Sequence, residues 1–200
     1  MVERQVRNGV DFLLPQATTG ETPCLSTEER INILKLTKEA AGGRPVVVGG
    51  GTNSPAETIA SIRTLEPYDP DAFLIVVPYY NKPTQEGQYQ YFKTVAAATD
   101  KPVIIYNVPG RTGVNMLPET CVRLAEEVSN IVAVKEASGN YGQVSALLRI
   151  APEGFRVLSG DDDLTLAMMA TGPPTFFAQV VNNLYLPIVK LLSAFLKSKL

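Results

Sequence analysis

Two hundred residues, 45% of them hydrophobic, suffice for one sizeable domain with a real core but not for two ordinary ones. A net charge of -2 with no basic cluster argues against nucleic acid and against an acidic membrane surface as partners. The chain has no histidine, which excludes a Ser-His-Asp triad, a Cys-His dyad and histidine-ligated zinc, so any proton transfer falls to Tyr, Lys, a carboxylate, Cys or water.

Residues 1–7 lack the apolar core of a signal peptide, and the longest apolar runs are strand-length, so a cytoplasmic protein without a membrane span is expected. A first strand is read over residues 10–14. It leads into Gln16-Ala-Thr-Thr-Gly-Glu21, where two hydroxyls and a glycine either orient a carboxylate or form an ordinary Thr-rich turn. Cys24 and Cys121 make no CxxC spacing and suit a reducing compartment as small buried thiols. Ser26-Thr-Glu-Glu29 is a capping box ahead of Ile31 and Leu34. The strand at 46–49 ends in Gly49-Gly50-Gly51-Thr52. This is not GxGxxG and no phosphate-binding lysine follows, so it reads as a tight strand-to-helix turn. Ser54-Pro-Ala-Glu57 is a second capping box, with Pro55 at the first helical position.

The strand at 72–77 runs into Pro78-Tyr-Tyr-Asn-Lys-Pro-Thr84, and Thr84 caps a helix carrying Tyr91, Phe92 and Val95. The strand at 103–108 holds Tyr106 and continues through Val108-Pro-Gly-Arg-Thr-Gly113. Pro118 then starts a helix with Cys121, Leu124, Ala125 and Val128 as its apolar stripe. The strand at 131–137 contains Lys135. A buried ammonium is costly, so this lysine either snorkels to solvent or sits in a dry site, its pKa pulled below ~10.4 and its amine freed as a nucleophile. Schiff-base catalysis needs such an amine. Asn140 precedes a helix with Val144, Leu147 and Leu148. A strand follows at 157–159, then Asp161 to Asp163 ahead of a helix at 164–170, a less clear strand at 175–180 and a last helix at 185–197. Strand–helix units repeating at roughly 25–35 residues make successive βαβ crossovers, either a (β/α)8 barrel or an open doubly wound sheet. Polar and aromatic residues gathered at the strand ends favour the barrel.

TTGE, PYYNKPTQEG, YNVPGRTG, VKEASGN and LSGDD, in this order between about residues 10 and 171, resemble the dihydrodipicolinate synthase family of pyruvate-dependent class I aldolases. The resemblance implies an α/β (β/α)8 barrel, here one partial domain over 1–200 without the family's first strand–helix unit and C-terminal helices. It implies that Lys135 forms a Schiff base with pyruvate, while Tyr106, Thr18 and Tyr80 relay protons. It implies that Thr19 binds the pyruvate carboxylate and Arg111 that of the second substrate, aspartate 4-semialdehyde, and that Gly160 lies at the substrate-contacting turn. Phe177 falls where the family has a small aliphatic residue near pyruvate, and Ala17 replaces the usual glycine before the threonine pair. Asn53, Glu57 and Tyr79 match effector positions, with Arg30 in place of a residue often His or Glu in lysine-inhibited members. In the family the counterpart of Tyr80 reaches into the neighbouring subunit's site, so a homodimer or homotetramer is implied, with no metal and no cofactor beyond the covalent imine. YNVPGRTG also separates the chain from sialic acid lyases, which lack that arginine. Two other readings stand beside this one: a non-catalytic truncated remnant, or an open α/β module that binds a small molecule.

Overall fold

The computed structural model describes residues 1–171 and 177–178. Helix α1 (Val2–Arg7) and α2 (Thr27–Ala40) precede β1 (Val47–Gly49). The chain then alternates through α3 (Pro55–Leu65), β2 (Ala72–Val76), α4 (Gln85–Ala96) and β3 (Val103–Asn107). Short α5 (Pro109–Thr112) and α6 (Pro118–Glu127) lead to β4 (Ile131–Glu136), followed by α7 (Tyr141–Ile150), β5 (Arg156–Ser159), α8 (Thr165–Thr171) and β6 (Phe177–Ala178).

All strand pairs are parallel, and the spatial order β1-β2-β3-β4-β5-β6 is the chain order. A doubly wound sheet must reverse its winding at a switch point, and among the described residues this one does not. Its two faces differ as a barrel wall's do. One side, with Val48, Phe73, Ile75, Val103, Ile105 and Val134, packs against the helices through Leu34, Ile62, Phe92, Val95, Leu124 and Leu147. The other side gathers Val47, Leu74, Ile104, Tyr106, Ala133 and Leu158 into a separate cluster with Ala17. The sequential order and the one-sided helix layer exclude the open-sheet alternative and leave a consecutive part of a (β/α)8 wall.

The helix starts follow from their caps. Ser26 Oγ accepts from the Glu29 N–H at 3.2 Å and Glu29 Oε2 accepts from the Ser26 N–H at 2.8 Å, a complete capping box. Ser54 accepts from the Glu57 N–H at 3.3 Å, but the Glu57 carboxylate takes the Thr52 hydroxyl instead, so only half of that box forms. Thr84 accepts from Gly87 N–H and Asn140 from Gln143 N–H, at 3.2 and 3.1 Å. Each such cap contributes about 1 kcal/mol.

Two elements differ from expectation at the N-terminus. Residues 2–7 form α1, which sequence reading left without an element. Val2 and Val6, four apart on one helical face, pack against the outer core. The expected strand at 10–14 shrinks to a single parallel bridge, Leu13 with Val46. Leu13 donates to Pro45 O at 2.9 Å and accepts from Val47 N–H at 2.8 Å. Pro15 follows at once, has no N–H to give, and ends the ladder. At the other end, α8 begins one residue later than expected. The strand at 175–180 is described only over 177–178, and the helix at 185–197 lies outside the described residues.

The glycine run after β1 serves close packing. A Cβ at Gly49 would lie 1.8 Å from Gln16 O, and one at Gly51 would lie 2.7 Å from Val76 N. The run is the tight strand-to-helix turn expected. Gly49→Ala is expected to push the 16–18 segment outward and to lower stability by about 1–3 kcal/mol, the usual range for overpacking. Urea unfolding checks this, and an unchanged midpoint would show that the segment gives way freely.

Candidate active site

Lys135 stands near the C-terminal end of β4 and faces the inner side of the sheet. A register shift places it there. Val103 pairs with Ile131 but Ile104 pairs with Ala133, so Val132 is an extra residue and half of β4 changes face. Ile131 belongs to the outer core and Ala133 to the inner cluster. Beyond the bulge, Lys135 pairs across to Tyr106 on β3, and its Nζ lies 4.3 Å from the centre of the Tyr106 ring. Lys135 is only 6% exposed. Burial draws its amine down to a pKa of about 8, against the opposing pull of Asp161 and Asp162, which favour the charged form. An amine with this pKa is about half neutral at pH 8.

The hydroxyls of Thr18 and Tyr106 share a hydrogen bond of 3.3 Å. Thr18 opens a 3-10 turn, Thr18–Gly20, held from below by Arg30. Arg30 Nε donates to Gln16 Oε1 at 3.1 Å, Arg30 Nη2 donates to Gly49 O at 2.7 Å, and Gln16 Nε2 donates back to Arg30 O at 2.7 Å. Partial burial lowers the guanidinium pKa without discharging it. The methyl of Ala17 enters the inner cluster, so the departure from glycine is absorbed by packing while Thr18 keeps its contact with Tyr106. The structure thus brings Lys135, Tyr106 and Thr18 together.

The other residues singled out from sequence surround this trio at greater remove. Thr19 is exposed in the same turn. Tyr80 is 87% exposed and held at φ 71°, a left-handed conformation that costs a bulky residue about 1–3 kcal/mol. Its N–H donates to Thr112 O at 3.3 Å, tying the loops after β2 and β3 together. Its side chain reaches neither Thr18 nor Tyr106. Arg111 is exposed in α5. Gly160 follows β5, and a Cβ there would meet Ala137 Cβ at 2.6 Å, so the strand ends beside Lys135 require a glycine. Phe177 is placed by its backbone alone, paired with Leu158. Asn53 and Glu57 lie at the start of α3 and Tyr79 is half-buried after β2.

Sequence reading assigned no role to the residues next to Tyr106 and Lys135. Asn107 and Glu136 are cross-strand partners facing the helix layer, 1% and 3% exposed. Asn107 Nδ2 donates to Glu136 Oε2 at 3.0 Å, and Asn115 and Gln143 complete a polar network behind the sheet. Burial raises the Glu136 pKa, and its hydrogen bonds from Asn107, Ser138 and Gln143 oppose that rise. The available signal was a polar residue on the helix-facing positions of two adjacent strands.

The sign of the Lys135 shift generates two expectations. Trace acetylation of lysines across pH, read by peptide mass spectrometry, should give Lys135 a midpoint near 8. A midpoint near ~10.4 would mean the amine is solvated. Because the folded pKa lies below the unfolded one, the unfolded chain binds more protons between the two values. The fold therefore gains stability as pH rises through that window and carries the full penalty below about 8. Lys135→Met should then stabilise the fold at pH 7 by about 1–3 kcal/mol, with the gain shrinking toward pH 10.5. A destabilising effect of the methionine in urea unfolding at pH 7 would contradict the desolvated amine.

The model of the dihydrodipicolinate synthetase family matches residues 1–192. A 4-hydroxy-tetrahydrodipicolinate synthase of Azobacteroides pseudotrichonymphae is 50% identical over 186 residues, 92% of this chain and 62% of that protein. The crystal structure of dihydrodipicolinate synthase from Aquifex aeolicus superposes with a TM-score of 0.89 at 43% identity, covering 98% of this chain and 68% of that one. The chloride-inhibited dihydrodipicolinate synthase of Acinetobacter baumannii, solved in complex with pyruvate, gives a TM-score of 0.86 at 39% identity, with 92% and 63% covered. The chain spans about two thirds of the length of these relatives. With its sequential parallel strands and the motif-bearing strand ends, the chain belongs to the dihydrodipicolinate synthetase family.

Proposed function

We propose that this chain carries the site of a lyase that condenses pyruvate with L-aspartate 4-semialdehyde to 4-hydroxy-tetrahydrodipicolinate, a step toward lysine and diaminopimelate. The observation that supports it most is the meeting of a desolvated Lys135 amine with Tyr106 and Thr18 on the inner face of the strand ends. The neutral amine attacks the ketone carbon of pyruvate. The carbinolamine loses water to an iminium, with Tyr106 supplying the proton to the leaving hydroxyl. The iminium withdraws electrons and acidifies C3, so loss of a C3 proton gives an enamine, and C3 then forms the new bond to the aldehyde carbon. Thr18, bonded to Tyr106, passes protons between that site and the outside. The amino group of the second substrate finally adds to the imine carbon and expels the Lys135 amine, closing the ring. The iminium is the electron sink throughout, so the chemistry as written calls for no metal and no organic cofactor.

Around this centre, Thr19 and the turn at Gly160 take the pyruvate carboxylate, and Phe177, which opens β6, is carried over as a substrate-site position. Arg111, a fork-shaped cation in α5, takes the carboxylate of the aldehyde. Tyr80 completes the relay in the site of a second copy, a reading supported by its exposure and its strained backbone, so a homodimer or homotetramer is the active form. Asn53, Glu57 and Tyr79 form an effector region near the end of β2. One domain in the cytoplasm is the setting proposed; among the described residues, no helix is long and apolar enough to cross a membrane.

Borohydride reduction in the presence of pyruvate should trap an adduct on Lys135, seen by intact and peptide mass spectrometry, and Lys135→Ala should abolish it. An adduct on another lysine that survives Lys135→Ala would sink the reading. Trapping without turnover in a coupled assay would instead identify the remnant that keeps the site but not the reaction. Arg111→Ala should leave trapping intact and raise the KM for the aldehyde. Loss of one charge-assisted bidentate contact corresponds to about 1.5–3 kcal/mol. Unchanged aldehyde kinetics would remove Arg111 from its role.

A further inference from the structure

The inner face of the β3–β4 pair holds Tyr106 and Lys135, and the outer face holds their neighbours Asn107 and Glu136. A carboxylate in the dry layer between sheet and helices is costly unless donors surround it. Glu136 has three. Asn107 Nδ2 donates to Oε2 at 3.0 Å, Gln143 Nε2 donates to the same oxygen at 3.4 Å, and the Ser138 N–H donates to Oε1 at 2.8 Å. The Ser138 hydroxyl also bonds the carboxylate, so polar hydrogens surround Glu136 and offset part of the cost of its burial.

These bonds form a closed circuit around the loop that follows Lys135. Ser138 is held by Glu136, the Asn140 N–H donates to Ser138 Oγ at 3.2 Å, Asn140 caps α7, and Gln143 on that helix returns to Glu136. The Asn107 half does the same for the loop after Tyr106. Asn107 Oδ1 accepts from the Met116 N–H at 3.0 Å and its Nδ2 also donates to Asn115 Oδ1 at 2.9 Å, which pins the far end of the segment carrying Arg111. In addition the Ala137 N–H donates to Asn107 O at 2.8 Å and the Gly160 N–H to Glu136 O at 2.7 Å, so the ends of three strands meet at this pair. The pull on Lys135 comes from burial and from Asp161 and Asp162, so Glu136 acts on it through the backbone.

We propose that Glu136 and Asn107 are a positioning pair that sets the relative placement of Lys135 and Tyr106 from the opposite face of the sheet. The pair touches no reacting atom. Its consequence for turnover rests on the Schiff-base reading above, but its effect on Lys135 does not.

The test uses the full chain and two readouts, trace acetylation of Lys135 across pH and the rate of pyruvate–borohydride trapping. Glu136→Gln keeps the volume but turns one acceptor into a donor facing donors. If the pair positions Lys135, the strand end loosens, the amine becomes more solvated, and its acetylation midpoint moves up from about 8. Trapping should slow about tenfold or more, as misplacement by a fraction of an ångström costs. If Glu136 acted only by its charge, removing that charge would move the midpoint down. Val95→Ala, in the outer core on α4 and away from the network, controls for loss of stability and should move neither readout. Gln143→Leu removes one donor at the rim and should shift the midpoint upward by less, which keeps the question decidable where Glu136→Gln does not fold. A midpoint that stays or falls in these variants, or one that rises equally in Val95→Ala, would overturn the pair's role. If the unsubstituted chain traps no pyruvate, the Schiff-base reading fails, and the acetylation midpoints still decide the positioning.

Discussion

One extra residue in β4 decides what the site contains. Without the bulge at Val132, strict alternation from Ile131 would turn Lys135 toward the helices and Glu136 toward the interior. With it, the amine faces Tyr106 and the carboxylate faces Asn107. The two placements differ greatly in energy. A lysine facing Leu124 and Leu147 would put an ammonium in the apolar layer between sheet and helices, and a carboxylate in the inner cluster would lose its three N–H donors. The register is therefore enforced by charge as well as by apolar packing.

The same strand end carries two opposed ionic costs. Lys135 is held desolvated and so destabilises the fold below its folded pKa, whereas Glu136 is desolvated but surrounded by donors. The first cost leaves an amine that is substantially neutral near pH 8. The second keeps the surrounding backbone fixed while that amine stays under-solvated. A lysine whose supporting backbone was loose would turn toward water and recover its ordinary pKa. Rigidity behind the sheet is thus a condition for reactivity in front of it. Gly160 fits this account, because the strand ends approach so closely that even a methyl group would collide with Ala137.

Much of this was legible in the sequence, and the reasons are local. Lys135, Tyr106 and Thr18 stood out because each puts a reactive group at a strand end or strand-end turn, and the caps at Ser26, Thr84 and Asn140 stood out because capping is a matter of three residues. What was not legible depends on distant pairing. The bulge at Val132 leaves no mark in a run of β-branched residues. Asn107 and Glu136 look like ordinary polar positions until β3 and β4 are side by side. Arg30 is marked by the resemblance only as a departure from lysine-inhibited members, yet it bonds Gln16 and Gly49 and so holds the turn of Thr18. The strand expected at 10–14 failed for a reason that was present in the sequence: Pro15 stops the ladder that the apolar run begins.

Thr18 and Lys135 reach the centre by different routes, and this shapes how the site tolerates change. Lys135 and Tyr106 are built into adjacent strands, with ladder bonds on both sides and a polar network behind. Thr18 comes from a turn joined to the sheet by one bridge, at Leu13, and by Arg30, with Thr22 and Gly20 bonded to Ala17 O within it. The ladder spreads any local strain over several inter-strand bonds, while most of the turn's bonds are internal to it. Substitutions that disturb Gly49, Gln16 or Arg30 therefore act on the Thr18–Tyr106 hydrogen bond before they act on Lys135. Lys135 is placed by the sheet, whereas the Thr18 hydroxyl that meets Tyr106 is placed by a turn that the Arg30 guanidinium ties to Gln16 and Gly49.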